Sequence, residues 1–204
     1  CNSSQLDAFF KDKKINIVIN CAAYTAVDKA EHNSEIANKV NSEGVANLVN
    51  ALEKVDGKLI HISTDYVFDG NSFLPYHESD EVNPLGVYGN TKRKGELAVI
   101  NYDIDSIVIR TSWLYSAYGN NFVKTMLRLG NERNELGIIF DQVGTPTNAS
   151  DLAKACLEIS SISDTATPVF ATSASTTSAP RSIGWILDNR PFFLPPALRT
   201  APTI

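Results

Sequence analysis

The chain has 204 residues, of which 43% are hydrophobic and 20% are charged, and its formal net charge is −5 at pH 7. This composition is typical of a soluble globular protein with one domain, or with one domain and part of a second. The acidic balance, without a long run of one sign, argues against a general nucleic-acid-binding role, and no apolar stretch approaches the roughly 20 residues that cross a bilayer.

Short β-branched runs alternate with amphipathic stretches along the first 160 residues. Hydrophobic periodicity predicts strands at 15–20, 58–63, 106–111 and 136–140. It predicts helices at 6–14, 34–55, 88–102, 120–131 and 149–160, the last of them capped by Asn148 or Ser150. The strands are apolar along their whole length, which indicates burial on both faces, as in a parallel sheet covered by helices.

This alternation predicts an α/β fold, a doubly wound and Rossmann-like parallel sheet with its site where the strands end. After residue 160 the composition changes to Ser, Thr, Ala and Pro without a period. We therefore expect a partial NAD(P)-binding domain at 1–160 and a degenerate, irregular tail at 161–204. The tail is consistent with a disordered linker or with a frame-shifted or truncated substrate lobe, and both interpretations stay open.

Three cysteines, Cys1, Cys21 and Cys156, lie far apart in the sequence. They form neither a CxxC pair nor a zinc spacing. Scattered thiols are typical of a reducing compartment, so we expect a cytoplasmic protein.

A tyrosine and a lysine lie four residues apart in PLGVYGNTKRKGE, at Tyr88 and Lys92. In a helix this spacing places both side chains on one face, where the ammonium would lower the pKa of the phenol from its ordinary value of about 10. Such a phenol can act as a general acid or base near neutral pH. Thr64 ends the preceding strand, and its hydroxyl can join Tyr88 in hydrogen bonding a single carbonyl oxygen.

These and other motifs, in this order, resemble the extended short-chain dehydrogenase/reductases and, within them, the dTDP-4-dehydrorhamnose reductase family. The stretches that carry the resemblance are INCAAYTAVDKAE, VN at 40–41, HISTDYVFDG, PLGVYGNTK with the following GE, RTSWLYS and FDQVGTPT. The resemblance covers about residues 6–160.

The resemblance implies the NADPH- or NADH-dependent reduction of the C4 keto group of dTDP-4-dehydro-L-rhamnose to dTDP-L-rhamnose, a sugar of the bacterial cell envelope. It implies that Tyr88 gives a proton to the carbonyl oxygen and that Thr64 hydrogen bonds the same oxygen. Lys92 would hold the nicotinamide ribose and lower the Tyr88 pKa. The cofactor supplies the hydride chemistry, and the protein supplies placement and charge.

The resemblance also assigns binding residues. The expected cofactor contacts are Cys21, Ala22, Ala23, Tyr24, Asn41, Tyr88 and Lys92. The expected substrate contacts are Thr64, Asp65, Trp113 and Asn121. Some family members hold Mg²⁺ at a subunit contact of a homodimer, but no matching acidic set is visible here, and the three histidines form no cluster, with His61 expected in the core.

The family begins with a strand and a Gly-rich turn that holds the cofactor pyrophosphate, whereas GxxGxxG does not occur in this chain. We therefore expect that the first βαβ unit is absent and that the chain by itself is nearly inactive. The preference between NADPH and NADH cannot be read without that turn.

Two other functions share these motifs. A nucleotide-sugar epimerase or dehydratase holds NAD tightly and regenerates it, whereas a reductase consumes NADPH in stoichiometric amounts. A non-catalytic regulatory subunit resembling that of methionine adenosyltransferase would retain a transferase partner, and loss of turnover in Tyr88→Phe would indicate an enzyme instead.

Overall fold

A computed structural model of the chain describes residues 2–72, 74–138, 142, 144–161, 169–172, 184–187 and 190–193, with side chains described up to residue 161. The helices are α1 (Ser3–Lys13), α2 (Val27–Ala30), α3 (Ser34–Asn38), α4 (Gly44–Glu53), α5 (Val87–Ile100), α6 (Phe122–Glu132) and α7 (Ala149–Ser160). The strands are β1 (Ile17–Asn20), β2 (Lys58–Thr64), β3 (Ser106–Thr111), β4 (Leu114–Tyr115), β5 (Thr147–Asn148), β6 (Val169–Thr172), β7 (Gly184–Leu187) and β8 (Arg190–Phe193).

Four strands form one parallel sheet in the order β1-β2-β3-β6. The register pairs Asn20 with His61 and Thr64 with Thr111. Because the strands are parallel, their carboxyl ends meet at one edge of the sheet, which is where ligands bind in open α/β folds. The predicted Rossmann-like parallel sheet is confirmed.

Helices cover both faces of this sheet. On one face, Cys156 and Ile159 of α7 pack against Ile60 and Ile107 of the central strands. On the other face, α1, α4 and α5 enclose a second core, whose members include Phe10, Val49, Leu52, Leu59, Val99 and Val108. Burial on both faces explains why the strands carry continuous apolar runs.

The helix expected at 34–55 is interrupted by a π-helical turn, Lys39–Glu43, between α3 and α4. The side chain of Asn41, in this turn, is fully buried and reaches across to the loop after β1 and to α5. Insertions of this kind are common where a helix must turn a side chain toward a functional region. Sequence periodicity does not register the turn, because the apolar residues on either side keep helical spacing.

One expectation is wrong in part. The strand expected at 136–140 is not found over 136–138, and residues 139–140 lie outside the described residues. Beyond the expected boundary at residue 160, β6 pairs with β3, and two further strands, β7 and β8, pair with each other. The other residues of the expected tail, 162–168, 173–183, 188–189 and 194–204, lie outside the described residues.

Candidate active site

Two glycines let α5 lie directly against the backbone of its neighbours. A Cβ atom at Gly89 would collide with the carbonyl oxygen of Tyr66, and one at Gly95 would collide with the carbonyl oxygen of Asn41. Any larger residue would push the helix away from the sheet. Sequence analysis overlooked this role, although two glycines inside a helical pattern are a signal of close backbone approach.

This packing brings Tyr88 and Lys92 to the carboxyl end of β2. Tyr88 is 9% exposed and Lys92 is 2% exposed. The Tyr88 phenol lies close enough to the Thr64 side chain for Thr64 to shift its pKa, while Lys92 Nζ, one helical turn further on, donates to the Ile62 carbonyl at 2.7 Å. The three predicted catalytic residues therefore lie together at the end of one strand.

The expected lowering of the Tyr88 pKa by Lys92 is not found. Burial raises the pKa of Tyr88, and the interaction with the Thr64 side chain only partly opposes this effect. Among the described residues, Lys92 is not one of the groups that shift the phenol, and its ammonium donates to the Ile62 carbonyl. Tyr88 is therefore held as the neutral acid, which is the form that can give up a proton.

Burial acts on Lys92 in the opposite direction. It lowers the pKa of the ammonium from 10.5 to about 8, although the negative charge of Glu96 raises it and Cys21 does so to a smaller extent. The ammonium has three N–H donors, and one of them is used by Ile62 within the described part of the chain.

Asp65 and Tyr66 follow Thr64 in a short 3₁₀ turn, Asp65–Val67. The Thr64 hydroxyl donates to Asp65 Oδ1 at 3.1 Å and accepts from the Tyr66 amide at 3.2 Å. The Tyr66 ring meets the Tyr88 ring edge-on, with centroids 5.5 Å apart. The two residues that follow Thr64 thus orient its hydroxyl. The ring of Tyr66, a residue that sequence analysis did not assign to the site, packs against the Tyr88 ring and forms one wall around it.

The small residues expected to contact a cofactor lie in the loop after β1. Cys21 and Ala22 are exposed, and Ala23 and Tyr24 are half-buried. Asn41 was expected to touch the cofactor, but its amide is already committed: Oδ1 accepts from Tyr24 N at 2.8 Å, and Nδ2 donates to the Tyr24 carbonyl and to Thr91, each at 3.1 Å. Asn41 therefore ties this loop to α5 rather than facing a ligand.

Trp113, expected to contact substrate, begins an apolar groove of about 530 Å³ beside β3. Its backbone has a positive φ of 47°, and its ring meets the Phe122 ring edge-on at 4.8 Å. Gly144 makes room for the indole, since a Cβ there would lie 2.6 Å from Nε1. The groove is lined by Trp113, Phe122, Val123, Met126, Leu127, Gly130, Asn131, Gly144 and Pro146.

Asn121, the other expected substrate contact, is the N-cap of α6. Its Oδ1 accepts from the Lys124 amide at 3.0 Å, and its Nδ2 donates to the Ser116 carbonyl at 2.7 Å. These bonds give the side chain a structural role and leave little of it for a sugar hydroxyl. The sequence pattern could not reveal this structural role, because an asparagine at the start of a helix can either cap the helix or face a ligand.

A buried ion pair fixes α5 to β3. Arg110 donates to both oxygens of Glu96, at 2.9 and 2.8 Å, and Arg93 binds the same carboxylate at 2.9 Å. The Arg110 guanidinium also lies 5.1 Å from the centroid of the Phe68 ring. The structural role expected for Arg110 is confirmed, and the pair joins the helix, the sheet and the loop after β2.

His61 is completely buried, as expected of a core residue. Its Nδ1 lies 3.1 Å from the Asn20 side-chain amide, and burial lowers its pKa to about 3. In the described ranges no group of three or more His, Cys, Asp or Glu side chains is arranged to hold a metal ion. Nor does the described part of the chain contain a helix that is both long and apolar enough to cross a membrane.

Comparison with known proteins extends these observations. The profile of the family described as RmlD substrate binding domain matches residues 1–178. The chain belongs to this family. The match continues past residue 160, in agreement with the position of β6.

Several of the matching relatives are dTDP-4-dehydrorhamnose reductases. The chain is 46% identical over 156 residues to a dTDP-4-dehydrorhamnose reductase of Aggregatibacter actinomycetemcomitans, covering 76% of this chain and 52% of the relative. A solved reductase from Clostridium acetobutylicum is 45% identical, with a TM-score of 0.79 and coverage of 85% of this chain and 60% of that one. A solved reductase from Bacillus anthracis, in complex with NADP, is 39% identical with a TM-score of 0.79, covering 86% and 61%. The chain thus spans about half of the length of the curated relatives that it matches.

Proposed function

We propose that this site reduces the C4 keto group of dTDP-4-dehydro-L-rhamnose to dTDP-L-rhamnose with NADPH as the cofactor. The observation that carries the proposal is the meeting of Thr64, Tyr88 and Lys92 at the end of β2. The dTDP-4-dehydrorhamnose reductases among the relatives and the NADP in one solved relative support the choice of reaction and cofactor. No feature of the site favours an epimerase, a dehydratase or a regulatory subunit over this reaction.

The residues present fit a nicotinamide nucleotide. Among the described residues, the bond to Ile62 uses one of the three Lys92 N–H donors, and the other two can bind ribose hydroxyls. Cys21 and Ala22, in the loop after β1, are exposed and small enough for a flat ring to approach their backbone. Bound NADPH would supply the hydride for the substrate carbon.

The protein's own part in the reaction is the movement of a proton. Tyr88, kept neutral by burial, donates its phenol proton to the carbonyl oxygen as negative charge develops there. Thr64 turns its hydroxyl from Asp65 toward the same oxygen and stabilises that charge.

The proposal is tested in a chimera, because the chain matches only part of each relative. The matching 156 residues of the A. actinomycetemcomitans reductase are replaced by those of this chain, and NADPH consumption is followed with dTDP-4-dehydro-L-rhamnose. Tyr88→Phe should lower turnover by roughly 10²- to 10⁴-fold. The control Tyr118→Phe removes a phenol that is 87% exposed and should leave turnover unchanged. A chimera that is folded but inactive, or a Tyr88→Phe variant that keeps full turnover, would overturn the proposal.

The expected compartment and substrate agree with the proposed reaction. The free thiols of Cys21 and Cys156 suit a reducing compartment such as the cytoplasm, and the partner is a dTDP-linked keto-sugar.

A further inference from the structure

α5 begins without a cap from its immediate neighbours, because Gly86 at its N-cap has no side chain to offer. The first amide of the helix, Val87 N–H, instead donates to Glu31 Oε1 at 2.8 Å. Glu31 lies 56 positions earlier in the chain, directly after α2. The first N–H groups of a helix have no partner within it, so a carboxylate at this place satisfies a donor and interacts favourably with the helix dipole.

The surroundings of this contact are shaped for it. A Cβ at Gly86 would lie 3.0 Å from Glu31 Oε1, so a side chain there would crowd the carboxylate. Beneath the contact, the fully buried Ala30 and Ala37 pack against Tyr88. The segment that ends at Glu31 therefore rests on the first turn of α5, and the residue after the capped amide is Tyr88 itself.

We propose that Glu31 is a positioning residue for Tyr88, holding the first turn of α5 so that the phenol points at Thr64. The loop before α2 is the one proposed to meet the cofactor. Through Glu31, the position of the Tyr88 phenol therefore depends on whether that loop is structurally ordered. Asn41, in the π-helical turn, provides a second tether between that loop and α5, because it binds Tyr24 and Thr91, whose hydroxyl donates to the Tyr88 carbonyl at 2.9 Å.

The functional importance of placing Tyr88 rests on the proposed function, in which Tyr88 donates the proton. The cap itself does not rest on that function. It can be tested in the 204-residue chain without substrate or cofactor.

Three substitutions separate placement from charge. Glu31→Gln keeps the length and the acceptor oxygen but loses the charge. Glu31→Asp keeps the charge but is one methylene shorter, and Glu31→Ala loses both. The matched control is Glu35→Ala, which removes an exposed carboxylate that pairs with Lys39 on its own helix.

Two quantities are measured by NMR: hydrogen exchange of the Val87 amide and the titration of the Tyr88 phenol, assigned with Tyr88→Phe. In Glu31→Ala and Glu31→Asp, Val87 should exchange roughly fivefold faster, as expected for loss of a cap, and the Tyr88 pKa should fall toward its ordinary value as the pocket loosens. Glu31→Gln and Glu35→Ala should match the unaltered chain in both.

Two other results would count against the proposal. Protection kept by Glu31→Asp but lost by Glu31→Gln would show that charge, rather than placement, is what matters. Faster Val87 exchange with an unchanged Tyr88 titration would show a cap that does not position the phenol. If the exchange pattern is as expected while the chimera shows no turnover, the role of Glu31 as a cap is supported and the proposed reaction is refuted.

Discussion

Replacing Gly95 by alanine should destabilise the protein, although alanine is the better helix former. Gly95 lies inside α5, where the change from glycine to alanine is worth about 1 kcal/mol in favour of folding. The new Cβ, however, would collide with the carbonyl oxygen of Asn41 and lie 3.4 Å from Val45 Cγ2. Overpacking of this kind costs about 1–3 kcal/mol.

We expect the upper end of that range, because the obstacle is backbone held by the bonds of Asn41 to Tyr24. The net loss should be about 2 kcal/mol, the difference between a cost of about 3 and a gain of about 1. The matched control is Gly130→Ala in α6, where a Cβ would meet nothing within 4 Å, so the same substitution should stabilise by up to about 1 kcal/mol. Urea unfolding followed by circular dichroism measures both. If the two variants shift stability in the same direction, the close approach of α5 to the π-helical turn is refuted.

Three further predictions concern buried charges, each measured by urea unfolding. Arg110→Met should cost about 3–5 kcal/mol, because within the described part of the chain it leaves the buried Glu96 carboxylate with Arg93 as its one ion-pair partner. Lys39→Met breaks an exposed pair with Glu35 and should cost much less. Similar losses in the two variants would contradict this. The pKa of Lys92 is lowered from 10.5 to about 8, so the folded state binds fewer protons than the unfolded state between these values, and stability should rise with pH through that window relative to Lys92→Met. A difference between these two proteins that does not vary with pH would count against a buried ammonium. The pKa of His61 is lowered from 6.5 to about 3, so stability should be lost as pH falls through that window, by up to about 1.4 kcal/mol per pH unit. His61→Gln should lack this loss. An equal acid sensitivity in the variant would refute the prediction.

The elements with strong local signals were predicted closely from the sequence. The strand at 106–111 and the helix at 149–160 have the predicted bounds, and Asn148 caps that helix through the Ser150 amide. The weaker signals failed in the last part of the chain. Residues 136–138 of the expected strand at 136–140 belong to an apolar run but form no strand, whereas β6 pairs with β3 although it lies in a stretch without a periodic pattern.

The candidate site divides in a similar way. Tyr88 and Lys92 could be placed on one face because they belong to one helix, and Thr64 could be placed near them because it ends the adjoining strand. Asn41 and Asn121 were assigned to ligands from the resemblance, yet their amides are used within the protein. An asparagine in a motif gives no indication of whether its donors are already taken.

By itself, the sequence determined the alternation of strands and helices and the shared face of the tyrosine and the lysine. Both depend on residues a few positions apart, and their periodicity is written into the chain. Only the tertiary structure decided that burial raises the pKa of Tyr88 and that Glu31 caps the helix from 56 residues away. These properties depend on desolvation and on partners from distant segments, which come together only when the sheet and its helices pack.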